Sequence, residues 1–402
     1  MGVKVPIEVQ IRRAARVPDP ARLDRYLRAP ELGPKILFFS GGSALAKTSR
    51  ELKRYTHNSI HLMTAFDSGG SSAEIRRAFR VLSVGDLRQR MMSLADETAR
   101  GNPEIFRLFS YRLPEDRGAN SLGVELDALV SGEHELVRCV PGPLRRLVRT
   151  HLREFQSRMP SDFDLRRASI GNLVIMGGLL ANEGDIDAVL FLFSKLVEVR
   201  GQVLPITSED VEIAATLDSG DRVVGQHRLT GKNEPPIESR IRQLDLVRSM
   251  RDDTPVEVRA ADKVCRLIRE ADLICFPTGS FYSSVLANLL VRGVGRAIAE
   301  APCSKVFIPN MGCDPEQVGM TLGDCIETLI AAVRRDAGED TPVARILDLV
   351  ALDSRGGAYE TPLDLPRAKE VGVEVLDLDL VRDNGWPLID AHTLARCLLS
   401  LA

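Results

Sequence analysis

No two of the seven cysteines (Cys139, Cys265, Cys275, Cys303, Cys313, Cys325 and Cys397) form a C-x-x-C pair, and their number is odd. This argues against a zinc knuckle or a disulfide framework and for reduced, mostly buried thiols. The six histidines (57, 61, 134, 151, 227 and 392) show no metal-ligand spacing. Aromatic residues make up only 5% of the chain, and 53 basic against 56 acidic residues leave a net charge of −3. Nucleic acid is thereby disfavoured, since it calls for a basic surface and stacking rings. No apolar run approaches the roughly 18–20 residues that span a membrane. The N-terminal stretch lacks the apolar core of a secretory signal, so a cytoplasmic location is expected. Two phosphate fingerprints are missing as well. Ser40-Gly41-Gly42-Ser43 is followed by Ala44 and fails G-x-G-x-x-G, which disfavours an NAD-type dehydrogenase. Ala46-Lys47-Thr48 ends like a P-loop without its glycines, so Lys47 reads as a surface helix residue.

The chain is 402 residues long and 44% hydrophobic, enough for a substantial core. Residues 1–33, rich in Arg and Pro, read as an N-terminal extension that wraps the surface or meets a protein partner. From residue 34 to 402 short apolar strands alternate with helices: strands at 35–40, 60–66, 271–276 and 305–309, and a mainly helical insertion near 99–160. In the helix 143–159, Arg145, Arg146, Arg149 and Arg153 lie opposite the apolar face, as a solvated face or an anion site. Segments 201–207, 211–217 and 222–229 alternate like strands, with antiparallel pairing one arrangement open to them. The pattern predicts an α/β fold: a Rossmann-like three-layer core with a mostly parallel sheet and helical insertions.

In such sheets, ligands bind beyond the carboxyl ends of the strands. Four turns fall there. Gly41, Gly42 and Ser43 follow the first strand; Asp67, Gly69, Gly70, Ser71 and Ser72 follow the second. Gly279 and Ser280 follow the third, and Asn310 the last, while Asn172 opens an apolar helix. Glycine-rich backbone at a helix start offers free N–H groups to phosphate. A carboxylate at Asp67 suits Mg²⁺, which takes one or two acids plus phosphate oxygens, or a proton transfer from an attacking hydroxyl. The competing reading at Asp67, Ser72, Asp86, Asn172 and Ser280 is helix capping.

Taken together, Gly41-Gly42, DSGGSS at 67–72, GDLRQRMMSLAD at 85–96, GNL at 171–173, VRGQVLPIT at 199–207, PTGSFYSSVLANLL at 277–290 and IPN at 308–310 resemble the CofD/YvcK family of 2-phospho-L-lactate transferase-like proteins. The resemblance covers about half of the chain and implies two functions on one fold. One is a Mg²⁺-dependent transferase that moves a phosphate-linked group from a nucleotide diphosphate donor to an acceptor alcohol. The other is a non-catalytic YvcK-like regulator of metabolism that binds nucleotide sugars. It would give Asp67 a metal or acceptor-hydroxyl role, Gly41, Gly42 and Ser43 the diphosphate, and Gly279, Ser280 and Asn288 the nucleotide or phosphate, with Asn172 and Asn310 nearby. No nucleic acid or membrane partner is expected; a homodimer is one assembly left open. The chain departs from the family in three places: Ser68 stands where a second acid is usual, Ser43-Ala44 replaces Thr-Gly, and Pro277-Thr278 replaces Gly-Pro. It reads as a divergent member.

Overall fold

The computed structural model describes residues 14–98, 101–231, 235–382 and 388–402. Residues 1–13 of the expected extension and 232–234 of a polar loop lie outside them. Eleven strands form two sheets among these residues. The main sheet holds β1 (Ile36–Ser40), β2 (Ile60–Met63), β3 (Gln202–Pro205), β8 (Leu273–Phe276), β9 (Ser304–Phe307), β10 (Leu349–Leu352) and β11 (Glu374–Asp377). Its order is β11-β10-β9-β8-β1-β2-β3, and every pairing is parallel. A smaller antiparallel sheet has the order β5-β4-β6-β7, from β4 (Glu212–Leu217), β5 (Arg222–Val224), β6 (Ile241–Ser249) and β7 (Asp252–Pro255).

The alternation of β1 explains the layers. Leu37 and Phe39 join the core on one face of the main sheet, and Ile36 and Phe38 join that on the other. A parallel strand covered on both faces is apolar at every position, and all five residues of β1 are buried. The sheet's order reverses direction between β8 and β1. Chain progress runs outward from β1 through β2 to β3, and from β8 through β11 the other way. That boundary is the topological switch point, where the loops after β1 and β8 diverge and leave a crevice.

The helices that matter for the site are α1 (Pro20–Arg28), α2 (Ala46–Leu52), α3 (Gly70–Phe79), α4 (Gly85–Leu94), α5 (Pro103–Ser110), α6 (Ala119–Ser131), α7 (Glu135–Arg138), α8 (Gly142–Arg158), α9 (Ile170–Ala181), α10 (Ile186–Leu196) and α11 (Gln226–Leu229). Helices α5 to α8 cover residues 103–158. α8 buries Val148, His151, Leu152 and Phe155, while Arg146 and Arg153 are exposed. Helix α1 packs on the C-terminal helix Ala391–Leu401, where Arg22 donates to the carbonyls of Ser400 and Ala402. Among the described residues no helix is long and apolar enough to cross a membrane.

Two local expectations change. Segment 202–205 is the parallel edge strand β3 of the main sheet, hydrogen-bonded to β2, and belongs to no antiparallel group. The strand expected over 222–229 stops at Val224, because Gly225 at φ 103° turns the chain into α11.

Candidate functional site

The loop after β1 is held from below. Arg90, on α4 and fully buried, donates to the Gly41 carbonyl (2.9 Å) and to Ser49 Oγ (2.6 Å), with longer contacts to Ser40 Oγ and the Gly42 carbonyl. Gly42 packs against the start of α4. A Cβ there would run into the carboxylate of Asp86 at the start of α4, and one on Gly41 would lie 2.6 Å from Ser284 Oγ.

The loop after β2 forms the next wall. Asp67 Oδ1 accepts from the Gly69 N–H (3.1 Å), closing an Asx turn, and Gly70 takes φ 50° as α3 begins. No side chain caps α3, which leaves first-turn N–H groups without an intrahelical partner at the positive end of the helix, where Gly70, Ser71 and Ser72 line the cleft. Ser71 Oγ accepts from the Ser169 N–H (3.3 Å) and from Asn172 Nδ2 (3.4 Å), while Asn172 Oδ1 takes a 2.8 Å hydrogen bond from Arg88 Nε. Arg88 also donates to the Phe109 carbonyl. Burial, then the neighbouring Arg112 charge, lowers Arg88 to about 10, and burial lowers Arg90 likewise to about 10. Among the described residues no carboxylate lies within ion-pair distance of either; Asp86 acts on both only from farther off.

Two contacts tie this loop to the smaller sheet. Ser68 Oγ lies 2.8 Å from His227 Nδ1 on α11. Arg76 of α3 donates to the Phe66 and Val211 carbonyls and pairs with Asp210 (2.9 Å) and Glu212 Oε1 (2.9 Å). Burial raises the Glu212 carboxyl to about 7, with Arg76 opposing and Asp210 and Asp67 assisting.

Between these elements opens a cleft of about 1400 Å³. Asp67, Gly69, Gly70, Ser71, Ser72 and Asn172 all line it, together with Asp86, Arg88, Glu212 and His227. Exposed arginines, among them Arg80, Arg112, Arg167 and Arg251, ring its mouth.

The remaining expected residues sit beside the cleft at the switch point, and none of them lines it. A Cβ on Gly279, at φ 146°, would lie 3.6 Å from the Ala44 Cβ, so the loops after β1 and β8 touch. Asn310 spends both ends of its amide on Gly279, accepting from its N–H (2.8 Å) and donating to its carbonyl (2.7 Å). Asn288 is buried, donates to the Ser284 carbonyl and leaves Oδ1 without a partner. The helical turn after Ser280 does not offer its N–H groups to a ligand. Asp314 accepts from the Phe281 N–H, and Glu316 accepts from those of Tyr282 and Ser283. Ser43 is exposed at the outer edge of its loop. Among the described residues no group of three His, Cys, Asp or Glu side chains could hold a metal.

Sequence reasoning missed Arg76, Arg88, Arg90, Glu212, His227, Asp314 and Glu316. Arg88, Arg90 and Glu212 had a signal, being charges set in short apolar runs, as in Leu87-Arg-Gln-Arg-Met91 and Val211-Glu-Ile213. The others had none, because their partners are distant in sequence.

The family model for 2-phospho-L-lactate transferase CofD matches residues 36–382. A gluconeogenesis factor of Bacillus subtilis is 27% identical over 376 residues, covering 92% of this chain and 98% of that protein. A Nostoc sp. relative is 29% identical over 301 residues, 75% of this chain, and the chain spans only 52% of its length. The crystal structure of a Bacillus halodurans member of the UPF0052 family superposes with a TM-score of 0.66 at 22% identity, over 91% of this chain and 99% of that one. At that identity it establishes the shared fold.

Proposed function

The chain belongs to the CofD family, and from that premise we propose that its cleft binds the diphosphate of a nucleotide-linked ligand. The observation that carries this reading is Arg88, a buried guanidinium that lines the cleft, with Arg90 fully buried beneath the first glycine loop. Two guanidinium groups are buried beside the first two glycine loops with hydroxyls, an amide and carbonyls as partners. Burying a cation without a counter-charge is costly, and an arriving anion relieves that cost. The uncapped start of α3 supplies N–H groups for the same anion, and Arg88 lines the cleft that contains them.

On this reading the protein transfers a phosphate-linked group from a nucleotide diphosphate donor to an acceptor alcohol. Asp67 fits a divalent cation as a single-carboxylate anchor, since its Oδ1 is engaged by Gly69 and its second oxygen is left for a ligand. Mg²⁺ there would neutralise phosphate oxygens, drawing its other ligands from phosphate and water. Arg88 and the α3 amides would orient the diphosphate, and catalysis would rest on positioning and charge neutralisation.

One observation favours a second reading, a nucleotide-sugar-binding regulator without catalysis. Ser68, hydrogen-bonded to His227, adjoins Asp67 where the family resemblance leads one to expect another acid. Calorimetric titration with GDP and UDP, each with and without Mg²⁺, tests the shared premise. Binding of either supports it, and dependence on Mg²⁺ supports the transferase reading. No heat from any of the four titrations refutes diphosphate binding.

A further inference from the structure

Glu212 has one oxygen that the fold does not use. Its Oε1 pairs with Arg76, whereas Oε2 is buried and has no hydrogen-bond partner among the described residues. The residue is 6% exposed, yet it forms part of the cleft lining. It opens β4, where it stands opposite Val247 of β6 in the register, so no polar neighbour across the sheet takes up that oxygen. A buried polar atom left unpaired is destabilising by an amount comparable to a hydrogen bond, and natural folds pair the great majority of them. Because Glu212 lines the cleft, a ligand held there is the candidate for the missing partner.

The surroundings restrict what that partner is. Asp67 and Asp210 lie close enough to push the Glu212 carboxyl up, with Arg76 opposing them, so this part of the cleft carries three carboxyl groups around one guanidinium. A phosphate set against Glu212 itself, with no cation between them, would meet like charge, whereas one at Asp67 would be bridged by the cation. The phosphate-binding features lie on other elements: Arg88 on α4, Asn172 on α9 and the amides of α3. A carboxyl group held up to about 7 accepts a hydrogen bond when ionised and donates one when protonated. A hydroxyl does both, so it matches Glu212 in either state. An amine or a second anion matches only one.

We infer that Glu212 Oε2 is the contact for a hydroxyl group carried by the ligand beyond its diphosphate, on a sugar or an acceptor alcohol. This rests on the diphosphate reading of the same cleft and adds the residue that selects the attached group. Glu212 is a specificity-determining residue on this account, and its contribution falls on ligands that bear the hydroxyl.

The test compares UDP with UDP-glucose and GDP with GDP-mannose by isothermal titration, using wild type, Glu212→Met and Glu212→Gln. Methionine keeps the volume and leaves Arg76 paired with Asp210; glutamine keeps both the Arg76 contact and a polar atom at the Oε2 position. In wild type, one sugar-bearing ligand binds more tightly than its bare diphosphate. In Glu212→Met it loses about tenfold, the effect of one buried hydrogen bond, while the bare diphosphate stays within about twofold. Glu212→Gln keeps most of the sugar-bearing affinity, because an amide also pairs with a hydroxyl. Circular dichroism checks that each variant is folded, and a Glu212→Met that fails to fold passes the decision to the wild-type and Glu212→Gln titrations. Equal loss on both ligands of a pair, or no loss on either, overturns the inference. So does a wild type that binds the bare diphosphate with no gain from the sugar. A wild type that binds none of the four overturns the diphosphate reading and this inference with it.

Discussion

Ser68 Oγ stands 2.8 Å from His227 Nδ1 and also accepts from the His227 backbone N–H at 3.3 Å. One hydroxyl thus caps the start of α11 and fastens the loop after β2 to the smaller sheet. The cleft wall depends on this link, because Asp67 and Gly69 flank Ser68. Replacing Ser68 with Ala removes both hydrogen bonds and leaves the α11 start uncapped. The expected loss of stability is about 1 kcal/mol, the usual value for a lost N-cap or one net hydrogen bond. Urea denaturation measures it, and a midpoint unchanged from wild type would show that the link carries no load.

The contact between α8 and α9 makes a prediction about packing alone. Helices α8 and α9 approach so closely that a Cβ on Gly177 would overlap the carbonyl of His151. Backbone cannot rotate away as a side-chain tip does, so Gly177→Ala forces the helices apart and costs about 1–3 kcal/mol. Gly123 on α6 is the control, with no atom within 4 Å of its added Cβ. Gly123→Ala is expected to leave stability unchanged or raise it by about 0.5–1 kcal/mol, since alanine loses less chain entropy in a helix. Similar melting temperatures for the two variants would contradict the packing argument.

The parallel core was legible because β1, β2 and β8 are short apolar runs with glycine or hydroxyl residues within two positions of their ends. The same logic marked Asp67, Gly69, Gly70, Ser71 and Ser72, which do line one cleft. Periodicity could not reveal which sheet a strand enters. Segments 202–205 and 212–217 look alike as strings, yet one completes the parallel sheet and the other starts the antiparallel one. Strand β11 went unread because it is only partly buried and shows no clean apolar face, whereas β10, a buried run of Leu349-Val-Ala-Leu352, carried the same signal as β8 and was missed. At the site, the hidden part was electrostatic. Sequence shows that Gly279-Ser280 precedes a helical turn; it does not show that Asp314 and Glu316, more than thirty residues later, occupy the turn's N–H groups.

Those two carboxyls give the fold a pH dependence of definite sign. Burial, then the Asp314 charge, raises Glu316 to about 8 from an ordinary 4.5, and burial raises Asp314 as well. The folded protein therefore keeps a proton that the unfolded chain releases at lower pH. Its stabilising contribution is complete below the unfolded value and is lost as pH climbs through the folded one. Glu316→Gln mimics the protonated acid and keeps acceptors for the Tyr282 and Ser283 N–H groups. The variant is expected to show a shallower decline in urea midpoint between about pH 5 and 8 than wild type. Parallel declines would place the proton elsewhere, with Glu212 the next group to substitute because its shift has the same sign.

Arg88 separates the charge of the site from its shape. Its Nε hydrogen bond positions Asn172, while its charge faces the cleft without a carboxylate in ion-pair contact. Arg88→Met keeps the length of the side chain and removes the charge. Asn172→Ala keeps the charge and removes the amide. If the diphosphate is held by charge, Arg88→Met weakens GDP or UDP by about tenfold or more, or 1.4 kcal/mol, and Asn172→Ala weakens it less. Salt separates the two further, since raising ionic strength screens the exposed end of the cleft and lowers wild-type affinity. The Arg88→Met affinity should fall less steeply with salt because one of the attracting charges is gone. Stability supplies the opposing check. Removing a desolvated cation relieves part of its burial cost but leaves Asn172 Oδ1 and the Phe109 carbonyl without their donor, so Arg88→Met should lose no more than about 1–3 kcal/mol even as it loses ligand. A variant that melts far below wild type yet still binds the diphosphate normally would make Arg88 a structural strut and leave the anion to the α3 amides.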